Sequence, residues 1–227
     1  MPSSRIRLSV AEARDHAERA MRGIGYDAEE AHILADHAID AALCGYEYSG
    51  LAKLLNIPEH RRFKEPRRPI RVLRETEMSV LYDGGNNVGM LAMDHATRGA
   101  IAKAVTHSCA IVGVTNSWMS GRSAYYVEMI ASADLIGIHT AGSARIVAPP
   151  GGTRPALSTN PIAFGLPSFS RSDCLRYGNL GVYGHRFEVS RADGTAAAGG
   201  GGDRFQGQTD TRSRLGKSWC PVTVRRL

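Results

Sequence analysis

The feature that most constrains the fold of this chain is a change in its hydrophobic period near residue 70. Between residues 10 and 55, apolar side chains recur at the three- and four-residue spacing of a helix face. Two of the helices have start signals, since Ser9 precedes Glu12 and Asp27 precedes Glu30 at the spacing of a capping box. The pattern predicts a helical N-terminal part that covers residues 1–70.

After residue 70, short apolar runs alternate with helical segments. We predict helices at 89–106 and 121–133, and strands at 78–82, 110–114, 135–140 and 162–166, with 110–114 and 135–140 buried. This alternation is typical of an α/β or α+β fold and predicts a second part over residues 71–167. The Pro- and Arg-rich stretch 58–71 is predicted to be an extended, solvated crossing between the two parts, with a phosphate-binding strip as the alternative.

The net charge of +6 lies almost entirely at the C-terminal end. Ten of the 28 Lys and Arg residues and five of the 22 Asp and Glu residues follow residue 170, which leaves a net charge of +1 before it. A basic chain can indicate a nucleic-acid partner, but the body of this chain carries no such excess. A nucleic-acid partner is therefore not expected, although a small basic binding protein that uses Arg61 to Arg74 and the tail remains an alternative.

Several classes of protein are disfavoured by the pattern of the remaining residues. No apolar run approaches the roughly 18 residues of a membrane span, and the N-terminus lacks the apolar core of a signal peptide. The four cysteines form no C-x-x-C pair, and the eight histidines form no spaced set of ligands. We therefore expect a cytoplasmic protein with no metal site and no membrane contact.

Four segments carry a family resemblance when they are taken together. They are residues 45–54 (GYEYSGLAKL), 116–121 (NSWMSG, running on to Tyr125 and Tyr126), 149–152 (PPGG) and 158–167 (STNPIAFGLP). In this order and spacing they resemble the malate/L-lactate dehydrogenase-like family of NAD(P)-dependent oxidoreductases. The last segment, which is similar to the family's GTNP-x-A-x-x-x-P, is the most specific of the four.

The resemblance implies a fold that is unrelated to the Rossmann dehydrogenases. It implies a helical N-terminal part and a cofactor domain on a largely antiparallel sheet, incomplete here at the C-terminus. The chain has no G-x-G-x-x-G after a strand, which excludes the usual dinucleotide fingerprint but not a nicotinamide cofactor. The resemblance further implies NAD or NADP as cofactor, a 2-oxo, 2-hydroxy or cyclic 2-imino acid as substrate, and a homodimer.

The chain departs from the family at the positions that supply acid–base chemistry. The family's first motif reads S-H-G with an Arg four residues after the His, whereas Tyr48, Ser49 and Lys53 stand at the corresponding positions here. Ser49 can hydrogen-bond a substrate but cannot act as a strong acid, and Lys53 can pair with a carboxylate without the bidentate fork of Arg. Tyr48 is a possible replacement acid, with packing as the alternative role. Met119 stands where the family usually has a second His, and it offers no proton.

Two interpretations of these departures remain open. One is a subgroup with different chemistry, such as reduction of a cyclic iminium that arrives already protonated. The other is a protein without efficient chemistry, including a nonfunctional gene remnant.

The resemblance also suggests where a cofactor would bind. Ser117, Thr159 and Asn160 lie at turns after strands, where hydroxyl and backbone groups can meet a phosphate or a carboxamide. We add Met119, Gly121 and Pro161 from the same motifs as candidate contacts. Ordinary turn chemistry is the alternative explanation for all six residues.

The last 60 residues, 168–227, do not continue the pattern. They hold ten of the 25 glycines and show no sustained period of 2 or 3.6, so they are predicted to be disordered and foreign to the family. Read one nucleotide later, residues 175–187 permit F-D-M-G-T-S, which resembles the family's next motif, and residues 201–212 permit a second family-like segment. We therefore expect a frameshift near residues 168–171, with a truncated family member before it.

Overall fold

The structure is a computed structural model that describes residues 7–142, 145 and 148–167, together with the backbone of two strands between residues 173 and 190. The chain divides into two compact units: Met1–Arg98 with Ile111–Gly121, and Gly99–Ala110 with Arg122–Leu227. This division differs from the predicted boundary after residue 70. The reason is that the N-terminal helices share one apolar core with Val88, Met90, Leu91 and Trp118.

The helices of the first unit begin where the sequence predicts them. They are α1 (Val10–Gly23), α2 (Ala28–Leu43), α3 (Ala52–Glu59) and α4 (Gly89–His107), the last of which runs on into the second unit. Reciprocal capping boxes form at both predicted starts, with the Ser9 side chain accepting from the backbone of Glu12 and Asp27 from that of Glu30. Such a cap contributes about 1 kcal/mol, so these two starts are fixed locally.

A three-stranded sheet completes the first unit. It contains β1 (Arg71–Glu75), β2 (Ser79–Asp83) and β3 (Ile111–Thr115), with β1 antiparallel and β3 parallel to β2. The ring of Tyr82 on β2 contacts that of His95 on α4, with centroids 4.9 Å apart. The prediction that 110–114 is buried is wrong, since Ile111 is 74% exposed and the other residues of β3 are exposed or half-buried.

The second unit is built on an antiparallel sheet and a helix. The strands β4 (Gly137–Thr140), β5 (Ile162–Leu166), β6 (Asp173–Leu180) and β7 (Gly184–Ser190) pair in chain order, and α5 (Ser123–Ala131) packs on β4 and β5. Exposed and buried residues alternate along β4, so the prediction that 135–140 is buried holds for only one of its faces. The expected mixed fold with a largely antiparallel sheet is thus confirmed.

Strand structure continues past Pro167, where we predicted that regular structure would end. Residues of β6 pair with β5 from Ile162↔Tyr177 to Leu166↔Asp173, and β7 pairs with β6. The expectation of disorder is therefore wrong for these two segments. The physical reason is that the outer edge of β5 offers unpaired backbone groups that a neighbouring segment can satisfy. The remaining residues after 167 lie outside the described part.

No helix in the described part of the chain is both long and apolar enough to cross a bilayer. Within the same residues, the structure contains no cluster of three or more His, Cys, Asp or Glu side chains arranged to hold a metal ion.

Candidate functional site

The first motif folds as a tight turn between α2 and α3. Gly45 adopts a left-handed conformation with φ 69°, and residues 47–49 form one turn of 3-10 helix. Ser49 exposes 2% of its surface, whereas Tyr48 is 74% exposed. The Lys53 ammonium lies 4.4 Å from the centre of the Tyr48 ring, a cation–π contact. Tyr48 is therefore accessible and Lys53 is half-buried, while Ser49 is buried.

The imidazole of His60 packs on the second motif. Its ring stacks on the indole of Trp118 with centroids 4.3 Å apart and an interplanar angle of 4°. Its Nδ1 accepts a hydrogen bond of 3.2 Å from the backbone N–H of Arg62, which leaves the proton of the neutral ring on Nε2. Burial lowers the pKa of His60, and the charges of Arg61 and Arg62 act in the same direction.

The second motif is a turn with an unusual backbone. Asn116, Met119 and Gly121 have φ values of 55°, 59° and 74°, all in the left-handed region. That conformation is disfavoured for residues with a Cβ, so it persists only where other contacts hold it. One such contact is the hydrogen bond of 3.0 Å from Trp118 Nε1 to the carbonyl of Asn86.

Gly121 has a second reason to be glycine. A Cβ placed on it would overlap the imidazole of His37, which lies on α2 and is 1% exposed. The buried carboxyl of Asp40, also 1% exposed, lies one helical turn further along α2. Gly121 therefore lets the turn approach the buried His37 ring, and its role as a cofactor contact stays a prediction.

A polar loop after β2 supports the same turn. Asp83 accepts hydrogen bonds from the backbone N–H of Gly85 at 3.0 Å and from the Asn116 amide at 2.9 Å, and it pairs with Arg71 at 3.2 Å. The Gly85 and Asn116 bonds are the largest effects that hold the pKa of Asp83 below its ordinary value. Asp83 therefore remains a carboxylate that fixes the start of the turn.

The third set of candidate residues belongs to the second unit. Asn160 has φ 38°, and its Oδ1 accepts a hydrogen bond from the Ser158 hydroxyl. Thr159 is half-buried, and the Pro161 carbonyl accepts from the backbone N–H of Ala141 at 3.3 Å as the chain enters β5. Because this segment and the 116–121 turn belong to different units, their meeting in one pocket stays a prediction.

Three side chains around these motifs were not predicted from the sequence: His37, His60 and Arg62. His60 and Arg62 lie in the Arg-rich stretch that we expected to be extended and solvated, yet residues 61–64 form a 3-10 helix and both side chains bond or stack within the first unit. No local pattern signals these contacts, since the partners of Arg62 lie 24, 54 and 55 residues away along the chain.

Comparison with known proteins places the chain in a family. The family model described as malate/L-lactate dehydrogenase matches residues 8–175. L-sulfolactate dehydrogenase from Methanothermobacter thermautotrophicus is 32% identical over 165 residues, which are 72% of this chain and 48% of that protein. The solved malate dehydrogenase of Pyrococcus horikoshii superimposes with a TM-score of 0.70 at 31% identity, over 75% of this chain and 50% of its own.

A third likeness concerns the fold alone. The Δ1-piperideine-2-carboxylate reductase of Pseudomonas syringae pv. tomato superimposes with a TM-score of 0.68 at 23% identity, over 76% of this chain and 53% of its own. The fold and the motif-bearing segments thus match those of proteins named as dehydrogenases. This chain belongs to the malate/L-lactate dehydrogenase family, and it spans about half the length of the curated relatives it matches.

Proposed function

We propose that this chain forms the nicotinamide-binding and substrate-binding part of an NAD(P)-dependent oxidoreductase. Its substrate class is a 2-oxo or 2-hydroxy acid or a cyclic 2-imino acid. The observation that carries the proposal is the family match across residues 8–175, which includes every candidate site residue. The family's relatives include enzymes named for sulfolactate and malate.

The residues around the second motif fit a nicotinamide nucleotide. The second motif combines three left-handed residues with the Ser117 hydroxyl, and turns that contain left-handed residues can present backbone N–H groups to an anionic or carboxamide group. The bound nucleotide would supply or accept the hydride. Ser117, Met119 and Gly121 are proposed as contacts of the nucleotide. Thr159, Asn160 and Pro161 of the second unit stay separate proposals from the family resemblance.

The substrate would bind at the first motif. Lys53 is the accessible cation there, and it would pair with the substrate carboxylate while the Tyr48 ring holds its ammonium in place. The Tyr48 phenol would donate the proton that a 2-oxo acid needs on its oxygen when hydride reaches the carbon. Ser49 would hydrogen-bond the reacting oxygen or nitrogen if the substrate reaches it. A cyclic iminium arrives protonated and needs no such acid, so the missing family histidines favour the cyclic 2-imino acid.

An NAD(P)H assay on the purified chain tests the proposal. Binding of NADH and NADPH is measured first by nucleotide fluorescence, and hydride transfer is then followed with pyruvate, oxaloacetate and piperideine-2-carboxylate. In Lys53→Met we expect KM for the acid to rise about 10- to 100-fold, because a charge-assisted hydrogen bond contributes about 1.5–3 kcal/mol. Nucleotide binding should be unchanged.

Lys64→Met is the matched control, since Lys64 is an exposed lysine on the neighbouring 3-10 helix. It should leave KM where it is in the parent chain. Absence of nucleotide binding in the parent chain contradicts the cofactor assignment. An unchanged KM in Lys53→Met contradicts only the role of Lys53.

The alternative of a basic nucleic-acid-binding surface receives less support. Two of the arginines on which it depends are engaged within the first unit, Arg67 with Glu30 and Arg71 with Asp83. Their charge is partly neutralised there, which weakens a phosphate-binding strip. Homodimer formation stays a prediction from the family resemblance, and a cytoplasmic location stays a prediction from the N-terminal sequence and the cysteine pattern.

A further inference from the structure

The side chain of Arg62 forms hydrogen bonds with the 116–118 turn, which is distant from it in the sequence. The Arg62 guanidinium donates to the side-chain oxygen of Asn116 through Nη2, to the carbonyl of Ser117 through Nη1 at 3.2 Å, and to the side-chain oxygen of Asn86 through Nε at 2.7 Å. All three guanidinium nitrogens are therefore used within the first unit. Arg62 is half-buried, which strengthens these bonds relative to a fully solvated arginine.

Arg62 and Asn86 each donate a hydrogen bond to the other. The Asn86 amide donates back to the carbonyls of Arg62 at 3.0 Å and of Glu65 at 3.2 Å. Asn116 is meanwhile held from its other side by Asp83. The left-handed backbone of Asn116 is thus fixed by bonds to both ends of its side chain, which offsets the cost of about 1–3 kcal/mol for that conformation.

We propose that Arg62 is a positioning residue for the nicotinamide site. It acts through Asn116 and Ser117, holding the 116–121 turn in the conformation that receives the nucleotide. The inference rests on the proposed nicotinamide-dependent function and adds to it a residue from outside the four family-like motifs. A lysine cannot replace it, because one ammonium cannot reach three acceptors that the planar guanidinium meets at once.

Arg67 offers a matched control in the same stretch of chain. Its guanidinium bonds Glu30, the carbonyl of Gly25 and the side chain of Asn87, so it makes a comparable number of bonds in the first unit without contacting the 116–118 turn. Arg62→Lys and Arg67→Lys should therefore lower the melting temperature to a similar extent. A merely structural role predicts that they lower nucleotide affinity equally as well.

The experiment compares the two variants in the full chain. We expect Arg62→Lys to weaken NADH or NADPH binding about 10-fold or more, and Arg67→Lys to leave the dissociation constant within about 2-fold. Amide hydrogen exchange supplies a readout without nucleotide: residues 116–118 should exchange faster in Arg62→Lys only.

Each result separates the inference from the function on which it rests. If the parent chain binds no nucleotide, the proposed function fails and the inference fails with it. If the parent chain binds nucleotide and the two variants bind it equally well, the proposed function stands and the role of Arg62 is overturned. If residues 116–118 exchange equally fast in both variants, the proposal that Arg62 holds the conformation of this turn is likewise overturned.

Discussion

Protonation of His139 should destabilise the second unit as the pH falls. His139 lies on β4, is 6% exposed, and packs its ring 5.0 Å from that of Tyr126. Neither ring nitrogen has a hydrogen-bond partner within the described residues. Burial lowers the pKa of His139 to about 4 from an ordinary value of 6.5.

The direction of the pH effect follows from this shift. Above about pH 6.5 the imidazole is neutral in the folded and unfolded states, so it adds no pH dependence. As the pH falls from about 6.5 to about 4, the unfolded chain binds a proton that the folded chain does not. At about 1.4 kcal/mol for each pKa unit, the folded state loses about 3 kcal/mol across that range.

Urea unfolding at pH 7 and at pH 4.5 measures this loss. In His139→Leu, which fills the same site without a titratable group, we expect the fall in unfolding free energy to be smaller than in the parent chain by about 2–3 kcal/mol. Hydrogen exchange of β4 and β5 should show the same difference locally. His16→Gln is the control, because His16 is exposed on α1 and should leave the parent's pH dependence intact. An identical pH dependence in His139→Leu and the parent would refute the reasoning.

Two further predictions concern packing and the reading frame. A Cβ on Gly165 would overlap the carbonyl of Val127, so Gly165→Ala should destabilise the second unit by about 2 kcal/mol or more, which thermal melts would measure. Gly142→Ala is the control, because nothing lies within 4 Å of a Cβ on Gly142, and it should leave the melting temperature nearly unchanged. When the coding DNA for residues 175–187 is read one nucleotide later, it should encode D-M-G-T-S. A gene that does not encode this segment in the shifted frame contradicts the frameshift hypothesis.

The local chemistry of the chain was sufficient to predict most elements of the first 167 residues. The starts of α1 and α2 follow from capping residues within three positions of each other, and α4 and β5 follow from their periods. The strand β1 was missed because all five of its residues are exposed, so no alternation of apolar and polar residues marks it. Its place comes from pairing with β2.

In the candidate site too, the motif residues could be predicted from the sequence, whereas their burial could not. The motif residues Lys53, Ser117 and Asn160 could be named from the sequence, because the family resemblance is carried by contiguous segments. The burial of Ser49 and the exposure of Tyr48 could not, since both depend on what packs over the turn.

By itself, the sequence determined the family, the helices α1, α2 and α4, and the absence of the family's two histidines from positions 49 and 119. Only the tertiary structure decided that Arg62 donates a hydrogen bond to Asn116, 54 residues away, and that His60 stacks on Trp118. The physical reason is range: capping and periodicity act within a few residues, whereas hydrogen bonds and ring contacts between distant segments exist only after the core has brought those segments together.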